Sequence, residues 1–231
     1  MRLRNFVPNF LTCLNLIFGC LALIEIFDGH YDRAIYYVFL SGVADFFDGF
    51  AARLLKATSN IGKDLDSLAD MVSFGVVPAF VMFKMIEENA EQDYLPYVAL
   101  IIVAFSALRL AKFNNDERQS DSFHGLPVPA NALFLCALPF LASAEVFQST
   151  LSNPWVLVVI SIVMASLLVT DVKLLALKFK HFGWKGNEAR YLILGLSLVG
   201  LATFQVMALP FVIVFYFIGS IFVNAAAPEG H

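Results

Sequence analysis

The sequence predicts an all-α, polytopic membrane protein, a bundle of about eight transmembrane helices with both termini in the cytosol. Three observations point there. First, 59% of the 231 residues are hydrophobic and only 15% are charged. Ordinary soluble domains run at roughly 45–50% apolar and about 25% charged, so the chain lacks the polar side chains needed to coat a soluble core. Second, runs of about 20 apolar residues, the length that crosses a bilayer as a helix, recur along the whole chain. Third, Lys and Arg alternate between the two sides that such spans would create. A soluble enzyme is excluded by the composition. A β-barrel is excluded because strict two-residue alternation is absent.

The expected segments, in order, are Pro8–Phe27, Tyr31–Leu55, Asn60–Glu88, Tyr94–Phe113, Pro127–Phe147, Pro154–Thr170, Arg190–Leu209 and Pro210–Ala225. Lipid satisfies no backbone group, so apolar runs of this length must be helical. Proline opens several of them, where a missing N–H costs nothing. Pro78 and Pro139 fall inside segments and are expected to kink them. The opening Met1-Arg-Leu-Arg before an apolar run mimics a signal peptide. Thr12 and Asn15 within that run, and the spans that follow, favour a retained first helix. The chain reads as one integral membrane domain, 1–231. Residues 1–170 form a six-helix catalytic core with its site on the helices at 31–88, and 190–225 form two further scaffold helices.

Odd-numbered connections hold Arg33 and Lys84 beside Asp28, Asp32, Glu87, Glu88, Glu91 and Asp93. The N-terminus and the even-numbered connections hold the other 13 of the 15 basic residues. Positive charge stays on the cytosolic side, which sets the orientation. The net charge of −4 is mild, and no nucleic-acid partner is expected. Cys13, Cys20 and Cys136 lie in apolar runs with no CxxC pair, against a disulfide framework or a zinc site.

One place breaks the apolar rule. Asp45 and Asp48 sit near the end of the second segment, and Asp66 and Asp70 near the start of the third. Carboxylates within a bilayer cost several kcal/mol each by most estimates. Spacings of three and four put each pair on one helix face. The short connection makes the two helices antiparallel neighbours, so all four acids can converge. Such a cluster repels itself unless cations fill it, and hard oxygen ligands suit Mg²⁺, Mn²⁺ or Ca²⁺. Two ions roughly 4 Å apart would form the usual clamp for displacement at phosphorus. Gly49 and Ala52 lack bulk, so a ligand can approach the helix. Arg53, one turn on, can take a phosphate oxygen. Asp64 lies off the Asp66/Asp70 face and reads as solvated. An ion-coupled transporter relaying through Asp66 and Asp70 is the alternative of another class, and a purely structural scaffold is a third. Neither accounts for the whole set.

The set Asp45-x2-Asp48-Gly49-x2-Ala52-Arg53-x8-Gly62-x3-Asp66-x3-Asp70 resembles the signature of the CDP-alcohol phosphatidyltransferases at every position. Those integral membrane enzymes move a phosphatidyl group from a CDP-linked lipid to an alcohol and release CMP. The resemblance implies metal ligation by Asp45, Asp48, Asp66 and Asp70, with Asp70 also the general base. It also implies nucleotide and diphosphate contacts at Gly49, Ala52 and Arg53, and a divalent cofactor, Mg²⁺ or Mn²⁺, two ions per site. A narrower similarity, over about Asn5 to Leu133, is to the membrane-embedded phosphatidylserine synthases. It is carried by Asp66-Ser-Leu-Ala-Asp-Met-Val-Ser-Phe-Gly-Val-Val-Pro-Ala79, Ala107-Leu-Arg-Leu-Ala-Lys-Phe-Asn114 and Phe123-His-Gly-Leu-Pro-Val-Pro-Ala130. It implies CDP-diacylglycerol and L-serine as substrates, a homodimer, and a multi-pass place in the plasma (inner) membrane with the site facing the cytosol.

Physical chemistry alone does not choose serine over glycerol 3-phosphate or an inositol compound. It demands a cation for the acceptor's anionic group, and Arg109 and Lys112 stand at the cytosolic end of the fourth segment. Thr12 and Asn15, three apart on the first helix, are candidates for hydrogen bonds to CDP-diacylglycerol or for a polar contact between helices. Ser73 follows Asp70 by three positions and is a weaker candidate. His124 is read as a solvated loop histidine.

Overall fold

The computed structural model describes residues 3–57, 60–115, 123–174, 183 and 187–226. The chain is nearly all helical. The α-helices are α1 (Leu3–Phe27), α2 (Tyr31–Leu54), α3 (Asn60–Asp70), α4 (Val77–Glu87), α5 (Ile101–Asn115), α6 (Val128–Ala142), α7 (Glu145–Leu151), α8 (Pro154–Val169), α9 (Glu188–Phe204) and α10 (Leu209–Ala226). A π-helical segment, Met71–Val76, joins α3 to α4, and a 3₁₀ turn, Leu95–Leu100, leads into α5. Together with α6 and its bent extension α7, these make eight rods, in line with the eight segments expected.

Among the described residues, five stretches are long and apolar enough to cross a membrane: Phe6–Phe27, Tyr31–Leu54, Ile61–Glu87, Leu95–Asn115 and Tyr191–Phe222. The α6–α7 pair, bent by 112°, brings the number to six, and α8 is a shorter apolar helix. Tyr191–Phe222 doubles back: Gln205 has φ of +50°, and a Cβ on Gly219 would lie 3.4 Å from Ile193 Cδ1. The break falls at Gln205–Ala208, a few residues before the expected Leu209–Pro210 junction. Pro210 is tolerated in the first turn of α10, where its N–H is not needed. Large apolar side chains such as Phe46, Leu54 and Phe222 point outward at more than 60% exposure. On a soluble monomer so extended an apolar surface would be anomalous; around a membrane bundle it faces lipid.

Three features were not expected from the sequence. Residues Phe123–His124 and Lys173–Leu174 form a two-residue antiparallel ladder, a small addition to an all-α fold. Gly125, with φ of +75°, closes it: a Cβ there would meet the carbonyl oxygens of Thr170 and Leu168 at 2.7 and 2.8 Å, which excludes larger residues. The side chain of His124 lies outside the described residues. Second, α1 begins before Pro8 rather than at it. Third, Pro78 does not simply kink its helix. Its ring crowds the carbonyl four residues back, and the turns before it widen into the π segment, where Val77 N–H reaches Val72 O. Pro139 stays inside a continuous α6.

The α3–π–α4 rod is the most buried of the spans. Its core side chains include Phe74, Val77, Met82 and Ile86, and the other helices gather round it. α1 packs along α2 and also against α3 and the π segment. At that last contact Gly19 lies against Ser73, where an added Cβ would come within 2.9 Å of Ser73 Cα. Overpacking of this kind costs about 1–3 kcal/mol. Gly19→Val is therefore expected to lower the thermal unfolding midpoint in detergent. Gly49→Ala, whose Cβ would meet nothing within 4 Å, should leave that midpoint where it is.

Candidate active site

The acids predicted to converge are carried on two helices that both pack against α1. Asp45 and Asp48 lie on one face of α2, and Asp66 and Asp70 on one face of α3. Carboxylate oxygens of Asp45, Asp48 and Asp66 all lie within 4.8 Å of one another. Asp48 is buried, and Asp45 and Asp66 are half-buried. Asp70 stands outside that trio. Its Oδ1 accepts a 3.0 Å hydrogen bond from Asn15 Nδ2, which leaves Oδ2 for another partner. Three of the four acids are thus gathered at one point, and the fourth is held beside them by α1.

Helix α1 also reaches the trio. Thr12 Oγ1 lies 2.6 Å from Asp48 Oδ2. Both α1 donors are neutral, so they orient the carboxylates without cancelling their charge. Asn15 is itself anchored: its backbone carbonyl accepts from Ser73 Oγ (2.9 Å) and Ser41 Oγ (3.1 Å). Its side chain is fully buried, and its Oδ1 has no partner. Asn15, a candidate for contact with the lipid nucleotide, is used here to hold Asp70. Ser73 is likewise spent on Asn15.

A cavity of about 440 Å³ opens beside the trio, lined by Thr12, Asp48, Gly49, Ala52, Lys63 and Asp66 among others. Gly49 fronts open space, since a Cβ there would meet no atom within 4 Å. Protein packing does not require glycine here; the room it leaves belongs to whatever enters the cavity. Arg53 is exposed, and its Nε donates to Gly49 O at 3.1 Å, which folds the side chain back along α2. Asp64 is exposed, as expected. A larger cavity, about 1010 Å³ between α6, α7 and the α9–α10 pair, is lined by apolar side chains and holds no titratable group. Asp48 and Asp66 line the smaller one.

The structure separates the two cations proposed for the acceptor. Arg109 is buried, with its guanidinium 5.7 Å from the centre of the Phe113 ring, a cation–π distance. Lys112 is exposed. The α5 register is pinned to α3 by Asn114: its carbonyl accepts from Lys63 Nζ, and its Nδ2 donates to Ser67 Oγ at 2.7 Å. In that register Arg109 stands level with Val72, two residues past Asp70. Lys63, not singled out from the sequence, was discoverable: it precedes Asp66 by three positions and so shares its helix face.

A scan against family models matches residues 5–172 to CDP-alcohol phosphatidyltransferase. The chain belongs to that family. It is 32% identical over 182 residues to a CDP-diacylglycerol–serine O-phosphatidyltransferase of Bacillus subtilis, covering 77% of this chain and 92% of that protein. It is 31% identical to the enzyme of the same name from Methanocaldococcus jannaschii, over 72% of each chain. An archaetidylserine synthase of Methanothermobacter thermautotrophicus is 31% identical over 69% of this chain and 67% of its own. The family acts with divalent metal, and the trio fits one: three hard carboxylate oxygens within reach of a single ion, with no neutralising charge from Thr12 or Asn15.

A ligand that binds only the folded state stabilises it, by about 2.7 kcal/mol at a hundredfold excess over Kd. Titrating a divalent cation into the purified, chelator-treated protein should raise its unfolding midpoint. Asp48→Asn should need far more cation for the same rise. A midpoint indifferent to the cation in the parent protein would count against a metal at these three acids.

Proposed function

We propose that this protein transfers the phosphatidyl group of CDP-diacylglycerol to L-serine, giving phosphatidylserine and CMP. The chemistry is carried by the Asp45–Asp48–Asp66 trio beside an open face at Gly49. The choice of serine is supported by relatives named for it, one of which is matched over 92% of its length. Asp45, Asp48 and Asp66 would hold two divalent cations, Mg²⁺ or Mn²⁺. Bound there, such ions neutralise a diphosphate and stabilise the charge that develops in displacement at phosphorus.

The chain's own residues then divide the work. Thr12 fixes the carboxylate of Asp48. Gly49 and Ala52 leave room for the nucleotide, and Arg53 and Lys63 offer cations to its phosphates at the rim. Asp70, oriented by Asn15 and set apart from the trio, accepts the proton of the serine hydroxyl at Oδ2. The hydroxyl oxygen forms a bond to the phosphorus bearing the diacylglycerol oxygen, and the bond from that phosphorus to CMP breaks. Arg109, near the depth of Asp70, answers the serine carboxylate; Lys112 is exposed and adds positive charge outside. The distribution of Lys and Arg supports a multi-pass protein with the site and both termini in the cytosol, and a place in the plasma membrane is expected from the family resemblance. A homodimer is expected from the family resemblance.

The test is CMP release by the purified protein with CDP-diacylglycerol and Mg²⁺ or Mn²⁺, offered serine, glycerol 3-phosphate or inositol in turn. Serine should be preferred; preference for another alcohol would refute the acceptor assignment. General-base catalysis contributes typically 10²–10⁴-fold. Asp70→Asn should lower kcat by about that factor while CDP-diacylglycerol still binds. Turnover near the parent rate would show that another group takes the proton.

A further inference from the structure

The apolar cavity of about 1010 Å³ takes no part in the chemistry above. It lies at the end of the bundle remote from the acids. Pro129 and Leu133, at the start of α6, share a slot with Asp45. Leu138 and Leu141, toward the other end of α6, line the cavity. Its opposite wall is the α9–α10 hairpin. α10 packs on α6, whereas α9 packs chiefly on α10 and on the turn between them. α9 thus stands off from α6, and the gap is the cavity. Among the described residues Ser197 is the one polar side chain on its wall, and its Oγ is spent on Ile193 O at 2.6 Å. A buried water needs several polar partners, so water has no footing there.

Size and rim describe the occupant. An apolar cavity of about 150 Å³ stays dry and takes up one benzene; at about seven times that volume there is room for roughly forty carbons, the bulk of two acyl chains. Val146, Phe204 and Phe211 line the cavity and are also exposed, so its mouth is continuous with the lipid-facing surface of the bundle. Helix α7 bounds it, turned 112° from α6. Phe147 meets the Phe211 ring, 5.8 Å between centres, and Leu151 is buried, while Glu145, Gln148 and Ser149 are exposed. That division suits a helix lying in a membrane interface. From Val128 to Val169 and from Tyr191 to Ala226, Glu145 is the sole charged residue. One negative charge at the lip of an apolar cavity favours a cation on the molecule that fills it.

We propose that this cavity is a phospholipid site, separate from the donor site at the acids, which takes both acyl chains of one bilayer lipid and sets the cationic amine of its head group beside Glu145. The lipid fills the gap between α9 and α6 and holds the hairpin to the bundle. A second copy of the chain fits less well. A paired interface needs a surface complementary to itself, and two concavities facing each other leave a void.

The test uses the full-length protein in detergent, stripped of lipid, with phosphatidylethanolamine and phosphatidylglycerol of the same chains as probes. Native mass spectrometry should find one phosphatidylethanolamine retained per chain, and the unfolding midpoint should rise with added lipid and saturate. Gly200→Phe puts a ring into the cavity; the new Cβ itself fits, 3.6 Å from Ala208 Cβ. That variant should need at least about tenfold more lipid for the same rise. Should it not fold, Gly200→Leu decides by the same measures. The parent should prefer phosphatidylethanolamine by about two- to fivefold, the worth of one exposed ion pair, and Glu145→Gln should erase that preference. A parent that retains no lipid overturns the site, and so does a Gly200→Phe protein that retains lipid as the parent does. A lipid-free parent dimer that Gly200→Phe separates would assign the cavity to a second copy instead. Equal retention of the two lipids by the parent overturns the role of Glu145.

Discussion

Three carboxylates held within 4.8 Å of one another inside an apolar bundle are the constraint around which the molecule is arranged. Like charges at that spacing repel, and more strongly as the surroundings become less polar. They stay together because α1 packs against both α2 and α3 and because α3 continues into the most buried rod of the bundle. A cation bound there would offset the cost of gathering them, which would link stability and cofactor at the same point. The neutral donor from α1, Thr12, fits this arrangement: it orients Asp48 while leaving its charge available to a metal.

Asp70 is treated differently from the trio. It ends α3, and the helix changes pitch immediately after it. The π segment places Ser73 against the Asn15 carbonyl, and Asn15 in turn reaches Asp70 through Nδ2. Gly19 permits that approach of α1, since no Cβ fits between it and Ser73. A single aspartate is thereby positioned by two helices and by a local widening of its own. Such π turns recur at functional sites, and here Pro78 gives the physical cause.

Much of this was legible in one dimension. Apolar run length is a direct consequence of bilayer thickness, so the rods could be counted before any packing was known. The α9–α10 hairpin shows the limit: a continuous apolar stretch from Tyr191 to Phe222 does not announce where it reverses, and the turn lies at Gln205 rather than at the more conspicuous Pro210. The pairing of Asp45 with Asp48, and of Asp66 with Asp70, followed from helical spacing alone.

The sequence by itself determined the class, the helix faces that carry the acids, and the family to which their spacing belongs, because all of these depend on local periodicity and residue type. Only the tertiary structure decided which acids come within 4.8 Å of one another and which stands apart, that Asn15 serves Asp70, and that Arg109 is buried while Lys112 is exposed. Those depend on the relative rotation and register of helices far apart in the chain. Register is set by contacts such as Ser67–Asn114 and Gly19–Ser73, which no local pattern encodes.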